Sequence, residues 1–392
     1  MSRDATLRLL ALLGAAAASA TRAERIAAVA ASLQRSEFGA RFAAEAPRRA
    51  RATEAYARTL AGCGQLRGNV SLWVVYHATA RLREGALGDP RATHAVGVRA
   101  AGPAVASPCD FDAGAFSELL APDSFHQTLM SEHSALILLG LAAPALAGAG
   151  HRLGTCSWKA ALKGRNPPCE LLRGLAGAGP RTVTYWGPDA GPAGTGLSRH
   201  QAFVARKQPG GENLMGATIG AFFRDVFHAT GDPAAWAPMD ADGPALPWSN
   251  YFLAAPELWR DLAMFDALAS AWLDGARPRT TASNASAAAC PATYGDLHGQ
   301  GVLAKVDVES NCRYCRAGYW TNWHRCRVGC HRCWSYVLEQ LNVIFFRVLS
   351  DLRYVHDDAR CGAPAALAAP RVAGRGDFDV AFLRDVYAAA FG

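Results

Sequence analysis

A cluster of cysteines stands directly in front of the strongest helix pattern in the chain. The pattern runs from Trp334 to about Tyr354, with apolar residues recurring every three or four positions. An apolar face this wide has to pack against a core, so we expect this helix to lie inside the fold. The apolar residues of the face are Val337, Leu338, Leu341, Ile344, Phe345, Val348, Leu349 and Leu352.

Helical patterns also dominate the rest of the chain. With 392 residues, 51% of them hydrophobic, the chain can bury one large core or two modest ones. Residues 72–76 fit either a short strand or a buried helical turn, and Pro144 is expected to break the helix that contains it. The sequence therefore predicts a mainly α fold, a single helical domain crossed by long loops. The other helical patterns run from Glu24 to about Leu60, within Phe116 to Ala147, and over Gly220 to His228, Pro256 to Leu273 and Phe378 to Phe391.

The first 23 residues have the layout of a cleaved signal peptide. Arg3 and Arg8 precede an apolar run from Leu9 to Ala18, and small residues follow at Ala18-Ser19-Ala20 and at Ala23. The alternative is an Ala-rich helix that opens a cytosolic domain. We therefore predict a signal peptide over residues 1–23 and a single domain over residues 24–392.

The cysteine content indicates the cellular compartment, and the charge distribution limits the kind of partner the chain is expected to bind. Eleven cysteines are typical of an oxidising compartment, and no later segment offers about 20 uncharged apolar residues for a membrane span. Two glycosylation sequons, Asn69-Val70-Ser71 and Asn284-Ala285-Ser286, agree with a glycoprotein of the secretory pathway. The net charge of +7 comes from scattered basic residues, so no nucleic-acid partner is expected. We expect a luminal protein, and a peripheral contact with the membrane stays open.

Two Cys-x-x-Cys pairs carry the chemistry of the sequence. They are Cys312/Cys315 and Cys330/Cys333, with Cys326 just before the second pair, and 14 residues separate the two pairs. Four thiolates at such spacing are typical of a zinc site. A Cys-x-x-Cys at a helix N-terminus is typical of a redox centre, because unpaired amides and the helix dipole stabilise a thiolate. A structural disulfide knot is the third possibility. The oxidising compartment favours the redox interpretation without excluding the other two.

The segments around these pairs divide the domain further. Residues 277–310 read as a linker that holds the second sequon, and residues 311–354 hold the cysteine-rich segment and its helix.

The motif Cys326-Arg-Val-Gly-Cys330-His-Arg-Cys333-Trp resembles the active-site segment of the endoplasmic reticulum oxidoreductins. These are FAD-dependent oxidases that reoxidise protein disulfide isomerase. Arg181-Thr-Val-Thr-Tyr185-Trp186-Gly-Pro-Asp-Ala190 is similar to the flavin-contacting segment of that family. Weaker similarities occur in the same order along the chain, at Ser36-Glu-Phe, Phe222-Phe-Arg, Tyr251-Phe-Leu and the closing Ala389-Ala-Phe-Gly392.

The resemblance implies a luminal thiol oxidase with a helix-bundle core around FAD and long disulfide-linked loops. Cys330 would exchange disulfides with a thioredoxin-fold partner of the protein disulfide isomerase type, and Cys333 would face the flavin, which passes electrons to molecular oxygen. The family's shuttle pair has no counterpart near Cys63, so Cys312 and Cys315 could replace it.

The same resemblance implies a disulfide between Cys63 and Cys326. It also assigns six residues to flavin binding. For these residues an ordinary role in the core, at a helix end or on the solvated surface is the alternative. They are Arg181, Val183, Tyr185, Trp186, His228 and Arg260.

Overall fold

A computed structural model describes the chain in fourteen pieces. They are residues 21–61, 70–78, 93–101, 111–112, 132–147, 150–157, 181–185, 214–229, 252–275, 338–339, 341–346, 351–355, 366–368 and 378–392.

Seven helices and eight strands are described below, and the helices hold more residues than the strands. The mainly helical character predicted from the sequence is therefore confirmed, but a sheet accompanies it that the prediction did not contain. The helices are α1 (Arg22–Arg35), α2 (Glu37–Ala44), α3 (Ala46–Ala61), α4 (Glu132–Leu146), α5 (Leu214–Phe227), α6 (Pro256–Gly275) and α7 (Val380–Phe391). The strands are β1 (Val70–Ala78), β2 (Thr93–Ala101), β3 (Phe111–Asp112), β4 (Arg152–Ser157), β5 (Thr182–Tyr185), β6 (Phe252–Ala254), β7 (Asp351–Val355) and β8 (Ala366–Ala368).

The strands make one mixed sheet in the order β3-β2-β1-β4-β6-β5-β7-β8. The first four are parallel to one another, whereas β6 runs antiparallel to both of its neighbours. β7 is parallel to β5, and β8 is antiparallel to β7. Residues 72–76 belong to β1, so the strand alternative for this segment is confirmed. Their side chains from Leu72 to Val75 are buried, as a continuous apolar run in a central parallel strand requires.

Helix boundaries follow from capping chemistry. Thr21 caps α1 in a capping box with Glu24, and Ser36 interrupts the helical pattern by capping α2 through a hydrogen bond from the N–H of Gly39. Pro256 occupies the first position of α6, where its missing N–H is not needed. The predictions of helices near residues 24–60, 220–228, 256–273 and 378–391 are confirmed.

α4 and α6 pack closely because a glycine lies at their contact. A Cβ atom at Gly140 would come within 2.6 Å of the Cβ of Ala263 and within 2.8 Å of the carbonyl oxygen of Trp259. Pro144 does not break α4, which continues to Leu146. A proline in the last turn removes only one backbone hydrogen bond near the end of the helix, which explains why the predicted break is wrong.

An aromatic core joins the helices to the sheet. Phe222 on α5 has its ring centroid 5.5 Å from both Phe265 and Trp272 on α6. Phe227 lies 5.2 Å from Phe378, which directly precedes the start of α7. Edge-to-face contacts of this kind add to the free energy gained from burial. Among the described residues, no helix combines the length and the apolar character needed to cross a membrane.

The long helix predicted to reach Tyr354 is shorter in the structure. Residues 338–339 and 341–346 are helical, and all of them except Glu339 are buried, but Asp351–Val355 is strand β7. In this stretch the polar Asp351 and Arg353 alternate with the apolar Leu352 and Tyr354, a period of two that suits a strand once β5 is available as a partner. The prediction was wrong beyond the helical segment because the apolar pattern was extrapolated without that partner.

Candidate functional site

Three of the residues assigned to flavin binding lie on or beside β5, the strand between β6 and β7. The side chain of Val183 is fully buried in the apolar core. Thr184 is 1% exposed, and its Oγ1 has no hydrogen-bond partner among the described residues. A buried hydroxyl without a partner costs free energy, so Thr184 is a group that a bound polar ligand would satisfy. Tyr185 pairs through its backbone with Phe252 and Tyr354.

Arg181 lies just before β5, and its side chain is 44% exposed. Its Nη2 is 3.9 Å from Oδ2 of Asp379, whose Oδ1 accepts a hydrogen bond of 3.1 Å from Arg22. Asp379 is the N-cap of α7 and also accepts from the backbone N–H of Phe382. Burial raises the pKa of Asp379, but these partners outweigh burial and hold the pKa below its usual value. Arg181 is therefore tied to the start of α7 with much of its guanidinium still in contact with solvent.

His228 directly follows α5 and has an exposed side chain. Among the described residues other than glycine, it alone has a positive φ, at 52°. Its N–H donates to the carbonyl of Arg224, and the N–H of Ala229 donates to the carbonyl of Phe223, both at 3.1 Å. These bonds close the end of α5, which accounts for the left-handed backbone. Residues in this conformation also occur at functional sites, so the predicted flavin contact and the helix-end role both fit His228.

Arg260 is exposed on the first turns of α6, next to the buried Asp261. Asp261 accepts hydrogen bonds of 2.9 Å and 3.0 Å at its two carboxylate oxygens from Nε of Arg384 on α7. Burial raises the pKa of Asp261, while Arg384 and Arg260 oppose that rise in part. Arg260 thus faces water beside a carboxylate that Arg384 already occupies.

The exposed cations and the buried hydroxyl can be compared with what FAD requires. The pyrophosphate of FAD is typically bound by arginine side chains that donate hydrogen bonds. Its isoalloxazine ring takes hydrogen bonds in apolar surroundings. Arg181 and Arg260 keep exposed guanidinium groups, and Thr184 offers a buried hydroxyl that lacks a partner among the described residues. Arg181, Arg260 and Thr184 are groups of the kinds that bind FAD in proteins, and the hydrogen-bonding side chain of β5 is Thr184 rather than Val183.

The helical residues 338–339 and 341–346, here called the helical segment, follow the predicted redox cysteines in the sequence. The ring of Phe346 lies 4.8 Å from that of Phe252 on β6, and Phe345 lies 5.4 Å from Phe265 on α6. β6 pairs directly with β5. The helical segment and β5 therefore both contact β6.

The thiol residues of the predicted site lie outside the described residues. The same is true of Trp186 and of the linker over residues 277–310. Within the described residues, no three histidine, cysteine or acidic side chains come together as metal ligands would. The predicted redox pair, the shuttle pair, the disulfide between Cys63 and Cys326 and the alternative zinc site all stay predictions. They involve Cys63, Cys312, Cys315, Cys326, Cys330 and Cys333.

A buried polar cluster that was not predicted lies between three helical elements. Nδ1 of His133 on α4 is 3.8 Å from Oδ2 of Asp266 on α6, with side-chain exposures of 1% and 0%. Asn342 of the helical segment also hydrogen-bonds Asp266. Burial raises the pKa of Asp266, and His133 and Asn342 oppose that rise in part. The sequence signal that could have revealed the cluster is a polar residue placed on each of three apolar helix faces.

A second buried polar pair spans β1 and the start of β4. The Oγ of Ser71 and Nε2 of His151 are 2.9 Å apart, and both residues are buried. Ser71 is also the third residue of the first predicted sequon. Its hydroxyl makes a hydrogen bond with His151 inside the folded protein.

No protein-family model matches the chain, and neither a curated protein nor a solved structure is found to be similar to it.

Proposed function

We propose that the chain is a thiol oxidase of the secretory pathway that makes disulfides at Cys330 and Cys333 with the help of FAD. The observation that carries the proposal is the motif Cys326-Arg-Val-Gly-Cys330-His-Arg-Cys333, which lies a few positions before the helical segment in the sequence. At the helix N-terminus that the sequence predicts for this motif, the helix dipole would stabilise a thiolate, and Arg327 and Arg332 would add positive charge.

The neighbourhood of the helical segment supports a flavin beside β5, the strand with the flavin-like residues. Phe346 packs on β6, and β6 pairs with β5, which holds Thr184. β7, the next described element after the segment, pairs with the other edge of β5. Both strands that pair with β5 are therefore linked to the helical segment, β6 through the contact with Phe346 and β7 because it follows the segment in the chain.

The proposed reaction is an exchange of one disulfide for another. A thiolate of a reduced thioredoxin-fold partner attacks the Cys330 sulfur of the Cys330–Cys333 disulfide, and Cys333 leaves as the thiolate. The partner's second thiolate then attacks the mixed disulfide and releases Cys330. The partner ends with a disulfide. The pair Cys330/Cys333 ends as a dithiol, having gained two electrons and two protons.

Regeneration of the Cys330–Cys333 disulfide requires an acceptor. FAD, when bound, supplies the transfer of two electrons from the dithiol to oxygen, which yields hydrogen peroxide. In this proposal Arg181 and Arg260 hold the pyrophosphate, while Thr184 and His228 donate hydrogen bonds to the ring system. Tyr185 and Trp186 would line the same site.

The test is a purified full chain from a eukaryotic secretory host, examined by visible spectroscopy, metal analysis and oxygen uptake with a reduced thioredoxin-fold substrate. We expect a yellow protein with stoichiometric flavin and thiol-dependent oxygen consumption. Cys330→Ser and Cys333→Ser should both reduce oxygen uptake to background, whereas Arg35→Gln, an exposed change at the end of α1, should leave it unchanged.

The flavin-binding residues have their own matched pair of variants. Arg260→Gln should lower the flavin content of the purified protein, and Arg224→Gln, which changes another exposed arginine, on α5, should not. Equal flavin content in the two variants would remove Arg260 from the proposed site.

The zinc interpretation makes the opposite prediction for the same sample. A colourless protein with stoichiometric zinc, lost together with the fold on chelation, would refute the oxidase and assign Cys312, Cys315, Cys330 and Cys333 to a metal. A colourless protein without zinc, in which the same cysteines resist mild reductant, would refute both and leave the disulfide knot.

A further inference from the structure

We propose that signal peptidase cuts this chain between Ala20 and Thr21, so that the mature protein begins at Thr21. The small residue Ala23 offers a second boundary three residues later. The contacts of Thr21 and Arg22 in the folded protein favour the first boundary, because only a mature chain that begins there keeps them.

Thr21 is the N-cap of α1 and takes part in a complete capping box. Its Oγ1 accepts a hydrogen bond of 3.3 Å from the N–H of Glu24, and its own N–H donates to Oε2 of Glu24 at 2.7 Å. These bonds satisfy backbone groups that the helix itself leaves unpaired. A chain that begins at Glu24 has neither bond, and its first turn lacks a cap.

Arg22 connects α1 to the C-terminal helix. Its Nη2 lies 3.1 Å from Oδ1 of Asp379 and 3.6 Å from Oδ2 of Asp385. Its guanidinium carbon also lies 6.0 Å from the ring centroid of Phe382. Removal of Arg22 would take away one of the two arginines that pair with Asp379, the N-cap of α7. A cut after Ala23 therefore weakens both the start of α1 and the start of α7.

The residues before the two candidate bonds also differ. Small side chains occupy both selective positions before the bond between Ala20 and Thr21, namely Ala18 and Ala20. For the bond after Ala23, the corresponding upstream position holds the larger, β-branched Thr21.

Hydrolysis adds one water across the bond, leaving a carboxylate on Ala20 and an amino group on Thr21. The new ammonium group lies beside the carboxylate of Glu24, since the Thr21 nitrogen is 2.7 Å from Oε2. This contact offsets the unfavourable interaction of a positive charge with the positive end of the helix dipole.

The test is intact-mass analysis and N-terminal sequencing of the full chain after expression in a eukaryotic secretory host. We expect Thr21 as the first residue. Ala20→Arg should block the cut at this bond, because a large cation at the position before it is not accepted, and Ala23→Arg, an exposed position on α1, should leave Thr21 as the first residue. A protein that begins at Glu24, or one that keeps residues 1–20, would overturn the proposal.

The proposal rests on the secretory location and is independent of the thiol chemistry. A chain that begins at Thr21 but lacks flavin and oxidase activity refutes the oxidase alone. An active oxidase that begins at Glu24 refutes the Thr21 boundary alone.

Discussion

Replacement of Arg384 by glutamine tests how α6 and α7 are held together. Arg384 donates from Nε to both carboxylate oxygens of Asp261, at 3.0 Å and 2.9 Å. The Asp261 side chain is 5% exposed and the Arg384 side chain 48% exposed. Arg384→Gln therefore leaves a buried carboxylate without its cation, while the shorter neutral side chain still reaches toward α6.

The loss of stability expected from Arg384→Gln lies between two limits. Breaking a fully buried ion pair costs about 3–5 kcal/mol, and an exposed pair is worth about 0–1 kcal/mol. Because Arg384 is half exposed, water can partly replace its donors, and we expect a loss of about 2 kcal/mol in the free energy of unfolding at pH 7.

The pH dependence distinguishes this charge effect from a loss of packing. Burial raises the pKa of Asp261, and Arg384 opposes the rise, so the variant should have a still higher pKa at this carboxyl. A carboxyl with a raised pKa binds more protons in the folded than in the unfolded state, so stability falls as the pH rises through the folded pKa. The loss caused by Arg384→Gln should therefore be largest at pH 7 and shrink toward the ordinary pKa range of aspartate.

Urea unfolding of the wild type and the variant at several pH values between 4.5 and 7.5 is the measurement. Arg224→Gln is the matched control, because its pair with Asp225 has side-chain exposures of 62% and 40%, and its loss should stay below about 0.5 kcal/mol. A loss for Arg384→Gln that is as small as the control, or one that is the same at every pH, would refute the reasoning.

Three further predictions concern packing, capping and a buried acid. Gly140→Ala should destabilise the protein by about 1–3 kcal/mol, because the new Cβ would come within 2.6 Å of the Cβ of Ala263, while Gly150→Ala, which meets nothing within 4 Å, should change stability by less than about 0.5 kcal/mol in thermal unfolding. Asp379→Ala should lower the stability by about 1–2 kcal/mol in urea, since α7 loses its N-cap together with two ion pairs. Burial raises the pKa of Asp266, so the wild-type stability should fall as the pH rises above the ordinary aspartate range, and Asp266→Asn should flatten that profile in melting temperatures measured from pH 4.5 to 7.5.

Each of these has an outcome that contradicts it. Equal stabilities for the two glycine variants would mean that α4 and α6 do not approach as closely as the Gly140 contact indicates. An unchanged stability of the Asp379→Ala variant in urea would contradict the role of Asp379 as the N-cap of α7. Parallel pH profiles for the wild type and Asp266→Asn would mean that this carboxyl does not titrate differently in the folded and unfolded states.

Local chemistry in the sequence was enough to predict most of the helices. The apolar stripe from Leu258 to Trp272 with Pro256 at its start defined α6, and Phe378 to Phe391 defined α7 within two residues. Such patterns are readable because a helix satisfies its own backbone and needs only one apolar face. The cysteine motif and the signal pattern were readable for a similar reason, since spacing along the chain is all that they require.

The sheet could be decided only by tertiary structure. β6 has three residues and β5 four, too few for a period of two to stand out, and each exists because it finds the other as a neighbour. The end of the long apolar pattern changed from helix to β7 for the same reason, once β5 offered parallel pairing to Asp351–Val355.

The partners of the polar contacts inside the fold could not be read from the sequence either. His133, Asp266 and Asn342 are far apart along the chain, and nothing in their local surroundings marks them as partners. Arg22 pairs with Asp379 across 357 positions, and that contact selects the proposed start of the mature chain. The sequence by itself determined where helices form and which thiols are candidates for chemistry, because both depend on neighbours in the chain. Strand partners, buried ion pairs and the residues around β5 depend on neighbours in space, which only the folded chain supplies.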